Sequence, residues 1–169
     1  MNASGYAFLN SVGGEALSPS IGVARYGFKI NGLSFIYRAD ISSEVIKDVR
    51  VCAIPTTQKW FNGMINVRGH LIPVFDLNRL FFNEKTDSGL FLVLDKGSKA
   101  VAFRIKKFPE LIENIVQTDR HDKRFNDQLI PDFIRDYIVN YYASGSQPWL
   151  EFDKNAFLSS LTQRISIYS

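Results

Sequence analysis

The chain has 169 residues, 46% of them hydrophobic and 22% charged, with 20 Lys+Arg against 17 Asp+Glu. This length suits one domain or two small lobes of one module, and the composition excludes a disordered chain. A net charge of +3 spread over scattered basic residues argues weakly for nucleic acid. No run approaches the roughly 18 apolar residues that span a bilayer, and the single Cys52 excludes an internal disulfide and points to a cytoplasmic setting.

Residues 1–20 are rich in Gly and Ser and show no helical or strand period, which predicts a flexible lead segment before a domain over 21–169. Met1 to Asn10 lacks the charged start and apolar run of a secretory signal. From Arg25 to Ile30 the sequence alternates, Asn31-Gly32 follows, and Leu33 to Tyr37 forms a second run. An Asn-Gly pair between two such runs predicts a hairpin, because both turn residues take positive φ. Ser43 to Val51 alternates again, with Val45, Lys47 and Val49 on one side and Glu44, Ile46, Asp48 and Arg50 on the other. The apolar stretch Val51-Cys52-Ala53-Ile54 makes Cys52 a small core residue. Pro55 ends that run, and Thr57 to Phe61 predicts a short turn or a single helical turn with Thr56 or Thr57 as its cap. Trp60 and Phe61 are expected in the core.

Met64 to Val67 and Leu71 to Phe75 predict two strands around Arg68-Gly69-His70. Pro73 donates no ladder bond, so its strand is expected at a sheet edge or at a bulge. Asp76 opens a helix over Leu77 to Phe81. A second half begins at Gly89 with strands over Leu90 to Leu94 and Ala100 to Ile105, joined by a turn at Lys96-Gly97. Arg104, Lys106 and Lys107 are the nearest approach to a basic run and predict a solvated strand face. A further strand is expected over Leu111 to Val116, and a charged loop over Asp119 to Asp127. Pro131 starts a helical turn with Phe133 and Ile134 inward. Tyr137 to Tyr142 and Pro148 to Phe152 flank a glycine turn at Ser144-Gly145-Ser146, and Asp153 caps a terminal helix that carries Phe157, Leu158 and Leu161 on one face. Many short strands with glycine turns predict a mainly β barrel or sandwich, with no repeat at solenoid periods.

Catalytic constellations are missing from the sequence. His70 and His121 have no partner at metal-ligand spacing, and no phosphate loop, dinucleotide fingerprint or nucleophile elbow is present. The expectation is a protein that is not an enzyme, with no cofactor and no metal.

The informative stretch runs from Ile54-Pro55 through Trp60-Phe61-Asn62-Gly63-Met64-Ile65-Asn66-Val67-Arg68-Gly69-His70-Leu71-Ile72-Pro73-Val74-Phe75 to Asp76-Leu77, preceded by Ser43-Glu44-Val45-Ile46. From about Gly27 to Phe82 the chain resembles the CheW family. That signature has a Pro, a short turn, a Gly, an apolar strand, Asn-x-Arg-Gly, then a strand with an internal Pro that ends in Asp-Leu. The second half resembles it less: Val101-Ala102-Phe103-Arg104 lacks the Gly and the apolar-Asp pair usual in the returning strand. Trp149, Phe152 and Leu158 look like the closing strand and helix of the pilus-associated, PilI-like branch.

The resemblance implies two intertwined five-stranded SH3-like β-barrels with short helices, a C-terminal helix and a hydrophobic groove between the barrels. It also implies a scaffold that binds the regulatory domain of a CheA-type histidine kinase and the cytoplasmic tip of a chemoreceptor, reaching the inner membrane through the receptor without inserting. In the pilus-associated branch the output is twitching motility through type IV pili. Carried onto this sequence, Glu44, Gly63, Arg68 and Gly69 match positions used at partner contacts, with the two glycines also acting as backbone devices and Arg68 offering a planar donor fork. The alternative reading is a small β-barrel that stacks single-stranded nucleic acid on aromatics, supported by the pI of about 9.0.

Overall fold

The structure of the protein, a computed structural model, describes residues 25–38, 40–55 and 58–166. The lead segment over 1–20 and the cap expected at Thr56 or Thr57 lie outside the described residues. Among the described residues eleven strands form two curled sheets. Sheet A has the order β8-β1-β2-β11-β10-β9 and takes β1 (Arg25–Ile30), β2 (Leu33–Ile36), β8 (Glu110–Ile112), β9 (Val116–Thr118), β10 (Ile138–Ser144) and β11 (Gln147–Phe152). Sheet B has the order β3-β6-β7-β5-β4 and takes β3 (Ser43–Lys47), β4 (Phe61–Val67), β5 (His70–Phe75), β6 (Leu90–Leu94) and β7 (Val101–Ile105). Sheet A therefore draws on both ends of the chain and sheet B on the middle, which is the sense in which the lobes intertwine. Helices are short, α1 (Leu77–Phe82) and α2 (Asp132–Arg135), until the terminal α3 (Lys154–Ser166).

The two sheets share one plan. Each joins two antiparallel groups through a parallel contact, β2 with β11 and β7 with β5. One row of partners across sheet B reads Glu44, Val93, Ala102, Val74, Gly63. Its counterpart in sheet A reads Glu110, Gly27, Ile36, Glu151, Asn140. The hairpins β4–β5 and β10–β11 agree in register: each has a bulge near its start, after Phe61 or Ile138, and β5 and β11 each end in a Phe that is followed by Asp. In both, that Asp donates its backbone N–H back across the hairpin, Asp76 to the Trp60 carbonyl and Asp153 to the Tyr137 carbonyl. Both then cap a helix, accepting from the N–H of Arg79 or Ala156.

Nearly every central strand is buried on both faces, which explains why Leu90 to Leu94 is apolar without alternation. One face of each strand meets the other sheet in a shared core, where Phe28, Phe35 and Leu150 pack with Leu92, Phe103 and Phe157 of α3. The opposite faces line the barrel interiors. Barrel B is filled by Ile65, Ile72, Val74, Phe91, Val93 and Ala102, and barrel A by Ile36, Ile112, Tyr142 and Trp149. Trp60 and Phe61 pack against the shared core, Trp60 stacked on Phe75 at 6.0 Å.

Several expectations need correction. Cys52 is exposed rather than buried, because residues 51–54 run along the outer edge of β4, where Cys52 and Met64 exchange both backbone hydrogen bonds. Pro73 sits in an interior strand, between β4 and β7. Its missing N–H costs nothing there. Its cross-strand partner Met64 bonds outward to Cys52, so Pro73 and Met64 form a non-hydrogen-bonded pair, and the parallel ladder to β7 starts only at Val74. The run expected over Ser43 to Val51 stops at Lys47, where Asp48 takes φ 52° and donates its N–H to the Gly89 carbonyl. Leu111 to Val116 is broken into β8 and β9 by Asn114 at φ 50°. Arg104 is half-buried rather than solvated: its guanidinium lies 4.8 Å over the Phe91 ring and donates to Asn62 Oδ1 and to the Ser88 carbonyl.

Candidate docking site

The β4–β5 hairpin closes with two residues, Arg68 at φ 52° and Gly69 at φ 87°. Two consecutive positive φ values make a tight turn whose twist matches the flanking strands. Gly69 takes this conformation freely, whereas an arginine there is strained by about 1–3 kcal/mol. Asn66 supports the turn by accepting the Gly69 N–H at 2.9 Å. Nothing approaches the position a Gly69 side chain would occupy, so the turn is open to solvent.

The strained turn aims the Arg68 fork back across the barrel mouth. Its Nη1 and Nη2 donate to the two oxygens of Glu44 at 3.1 and 2.8 Å. Glu44 stands on β3 at the inner row of the barrel, cross-strand from Val93. The structure thus brings Glu44, Arg68 and Gly69 together at one end of barrel B. The pair contributes little to stability, since the Arg68 side chain is 78% exposed and exposed pairs yield about 0–1 kcal/mol. Its effect is to hold a charged, bidentate surface feature in one geometry.

Gly63 lies elsewhere. It occupies the β4 bulge at φ 117°, buried, and a Cβ there would fall 2.1 Å from the Cys52 carbonyl oxygen. It lets residues 52–53 close onto β4 and so sets the strand beneath the turn.

Glu44 and Arg68 edge a groove of about 440 Å³ whose lining includes His70, Ile72, Asp95 and Lys96. Asp95 is held at φ 68°, donates its N–H to the Ser42 carbonyl, and its carboxylate meets the buried Lys154 Nζ at 2.6 Å. This ion pair fixes one wall of the groove to the first turn of α3. Sequence reasoning missed both roles. The Asn66 contact had a local signal, an Asn three residues before a turn glycine, but the Asp95–Lys154 pair depends on the tertiary fold.

Barrel A has a matching mouth, a groove of about 450 Å³. Glu110, the counterpart of Glu44, is paired there with Lys29 at 2.6 Å, and Lys29 lies 5.4 Å from the Trp149 ring. Gly145 replaces Arg68 in the turn, with the same left-handed φ of 57°. Exposed apolar side chains stand elsewhere on the surface. Tyr26 and Leu111 are cross-strand neighbours on β1 and β8, on the face that carries Phe28 and Ile30, and Phe108 lies beneath Lys47 in the link from β7.

Among the described residues no group of three His, Cys, Asp or Glu side chains is placed to hold a metal ion, and no helix is long and apolar enough to cross a membrane.

Comparison with known proteins agrees with this architecture. The family model for the CheW-like domain matches residues 26–141. Protein PilI of Pseudomonas aeruginosa is 26% identical over 145 residues, covering 77% of this chain and 72% of that protein. The crystal structure of the scaffolding protein TtCheW from Thermoanaerobacter tengcongensis superposes with a TM-score of 0.58 at 19% identity, over 77% of this chain and 88% of that one. The match extends well past the signature around Arg68, through the second sheet as far as β10, and the chain belongs to the CheW-like domain family.

Proposed function

We propose that this chain is a non-enzymatic adaptor that couples the cytoplasmic tip of a chemoreceptor to the regulatory domain of a CheA-type histidine kinase, in a system that controls type IV pilus twitching. The observation that carries the reading is the Glu44–Arg68 pair, held by a strained turn on the rim of an open groove. A conformation that costs about 1–3 kcal/mol supports an ion pair that returns less than that, which favours a role at a surface. The kinase domain docks against Glu44, Arg68 and Gly69, while Gly63 shapes the strand behind them. The apolar border at Tyr26, Leu111 and Phe108 offers a separate surface for an apolar receptor tip. The pilus assignment draws on the similarity to PilI. The nucleic-acid reading finds less support. Tyr26 and Phe108 are the exposed aromatics among the described residues, and the other rings pack inward.

Co-purification with the CheA-type kinase of the same genome, with and without a receptor-tip fragment, tests the reading. A stoichiometric complex is expected, and Arg68→Asp should weaken it by about 10- to 100-fold, the loss of one charge-assisted contact. A double exchange, Glu44→Arg with Arg68→Glu, rebuilds the internal pair with reversed direction. Full recovery of kinase binding in the exchange would reduce the pair to a structural clip, and absence of any complex would leave a fold relative alone.

A further inference from the structure

The two hairpins match in register, yet their outer faces differ in what covers them. On β10–β11 the outward residues include Tyr141, Pro148 and Leu150. The link from β9 to β10 folds back over them: Phe125 meets Tyr141 edge-on at 5.1 Å, and Ile130 is buried in the shared core. Arg124 clamps this cover by donating to the Gly145 carbonyl at 2.9 Å and by its ion pair with Asp122. The corresponding residues on β4–β5 are Met64 for Tyr141, Leu71 for Pro148, Pro73 for Leu150, and the Arg68 carbonyl for that of Gly145.

On this face Met64 and Pro73 are half-buried and Leu71 is exposed. Thr118 pairs with Tyr141 as Cys52 pairs with Met64, but eighteen residues (119–136) lead from Thr118 to Tyr137 and seven (53–59) from Cys52 to Trp60. The short link has no length to fold back. Leu71 is left 67% exposed, and Cys52, which bridges to Met64, is exposed as well. We infer that the outer face of β4–β5, formed by Met64, Leu71 and Pro73, is a docking site for a partner's segment with an adjacent basic and aromatic residue. The ring would lie on Met64 and the cation at the Arg68 carbonyl, as Phe125 and Arg124 lie on the other barrel. Residues 1–24 contain no Lys or Arg to supply that cation. The proposed occupant is therefore a segment of another molecule. The inference rests on the comparison of the two barrels and stands whether or not the partner is a kinase.

The probe is a synthetic peptide of residues 119–131, which carries the covering chemistry, titrated to several millimolar into the full-length, isotope-labelled protein. Amide resonances around Cys52, Met64 and Leu71 should shift, and both Leu71→Asp in the protein and Phe125→Ala in the peptide should weaken binding about tenfold or more. The peptide variant leaves the protein untouched, so a folding defect cannot imitate the result. Absence of shifts at this face, shifts confined to Tyr141 and Leu150 where the peptide displaces its own original, or equal affinity of the Phe125→Ala peptide would overturn the proposal.

Discussion

Barrel B and barrel A place the same backbone in two chemical environments. In barrel B the interior positions of the β4–β5 hairpin are aliphatic, Ile65, Ile72 and Val74, with Phe91 of β6 facing the same interior. In barrel A the same positions hold Tyr142, Trp149, Glu151 and Arg25. The indole of Trp149 needs the room that Gly27 leaves: a Cβ on Gly27 would fall 2.3 Å from a ring atom of Trp149, whereas the equivalent position in barrel B carries Val93 against the smaller Ile72. Glu151 is buried but satisfied. Its Oε2 accepts from Arg25, Asn140 and Tyr142, and the Arg25 guanidinium lies 4.6 Å over the Tyr142 ring. The comparison shows that this backbone requires filled volume rather than any particular side chain.

The bulge separates the barrels most sharply. Gly63→Ala should cost about 3 kcal/mol or more, because φ 117° and the Cys52 carbonyl both reject a Cβ. Asn140→Ala, at the matching bulge, should cost only about 1–2 kcal/mol for the hydrogen bonds it loses. Chemical denaturation of the two variants gives the contrast, and equal losses would break the correspondence of the bulges. Next in size is the volume exchange. Gly27→Ala should lose about 1–3 kcal/mol by overpacking, and Trp149→Ile in the same molecule should recover part of it; the Phe35 carbonyl at 2.8 Å accounts for the remainder. Two independent, additive losses would show that the positions do not share one space.

A comparable effect is expected from the buried ion pair. Glu151→Val alone strands Arg25 and should cost about 1–3 kcal/mol. Adding Arg25→Phe copies the barrel B pair Val74 and Phe91 and should bring stability close to the wild type, as replacement of buried ionic groups often does. The smallest effect concerns the cover over β10–β11. The hydrogen bonds from Arg124 and Thr118 hold the Asp122 carboxyl well below its ordinary 3.8. A depressed folded-state pKa stabilises above the ordinary value and loses that contribution as pH falls below it. Hydrogen exchange in residues 119–130 should therefore quicken below about pH 4 before exchange in the β4–β5 hairpin does. Simultaneous quickening would place the tie elsewhere.

Much of this was legible in the sequence where one short segment sufficed. Asn31-Gly32 announced its hairpin, with φ 42° and 88° observed, and Asp76 and Asp153 announced their caps. The ordered series from Pro55 to Leu77 pointed to the family that the match over residues 26–141 shows. Features that depend on a distant strand were hidden. The burial of Arg104 depends on Asn62 and Phe91, and the exposure of Cys52 on an edge bridge to Met64. Glu44 and Arg68 each stood out, but their pairing requires β3 and the β4–β5 turn to meet across a barrel mouth. The internal correspondence was invisible because Val74 and Glu151, or Ile72 and Trp149, share a place and no chemistry.

The strand order also sets an order in time. Sheet B is built from one uninterrupted stretch, residues 43–105, and its strands can close as soon as that stretch has left the ribosome. β2 has no such opportunity. Phe35 and Ile36 pair with Leu150 and Glu151, so the inner edge of the first hairpin stays open until β11 has been synthesised. Unpaired apolar strands invite association with other chains. During synthesis the hairpin over residues 25–36 is the segment most in need of protection, and truncation before β11 should leave a protein that aggregates although barrel B is complete.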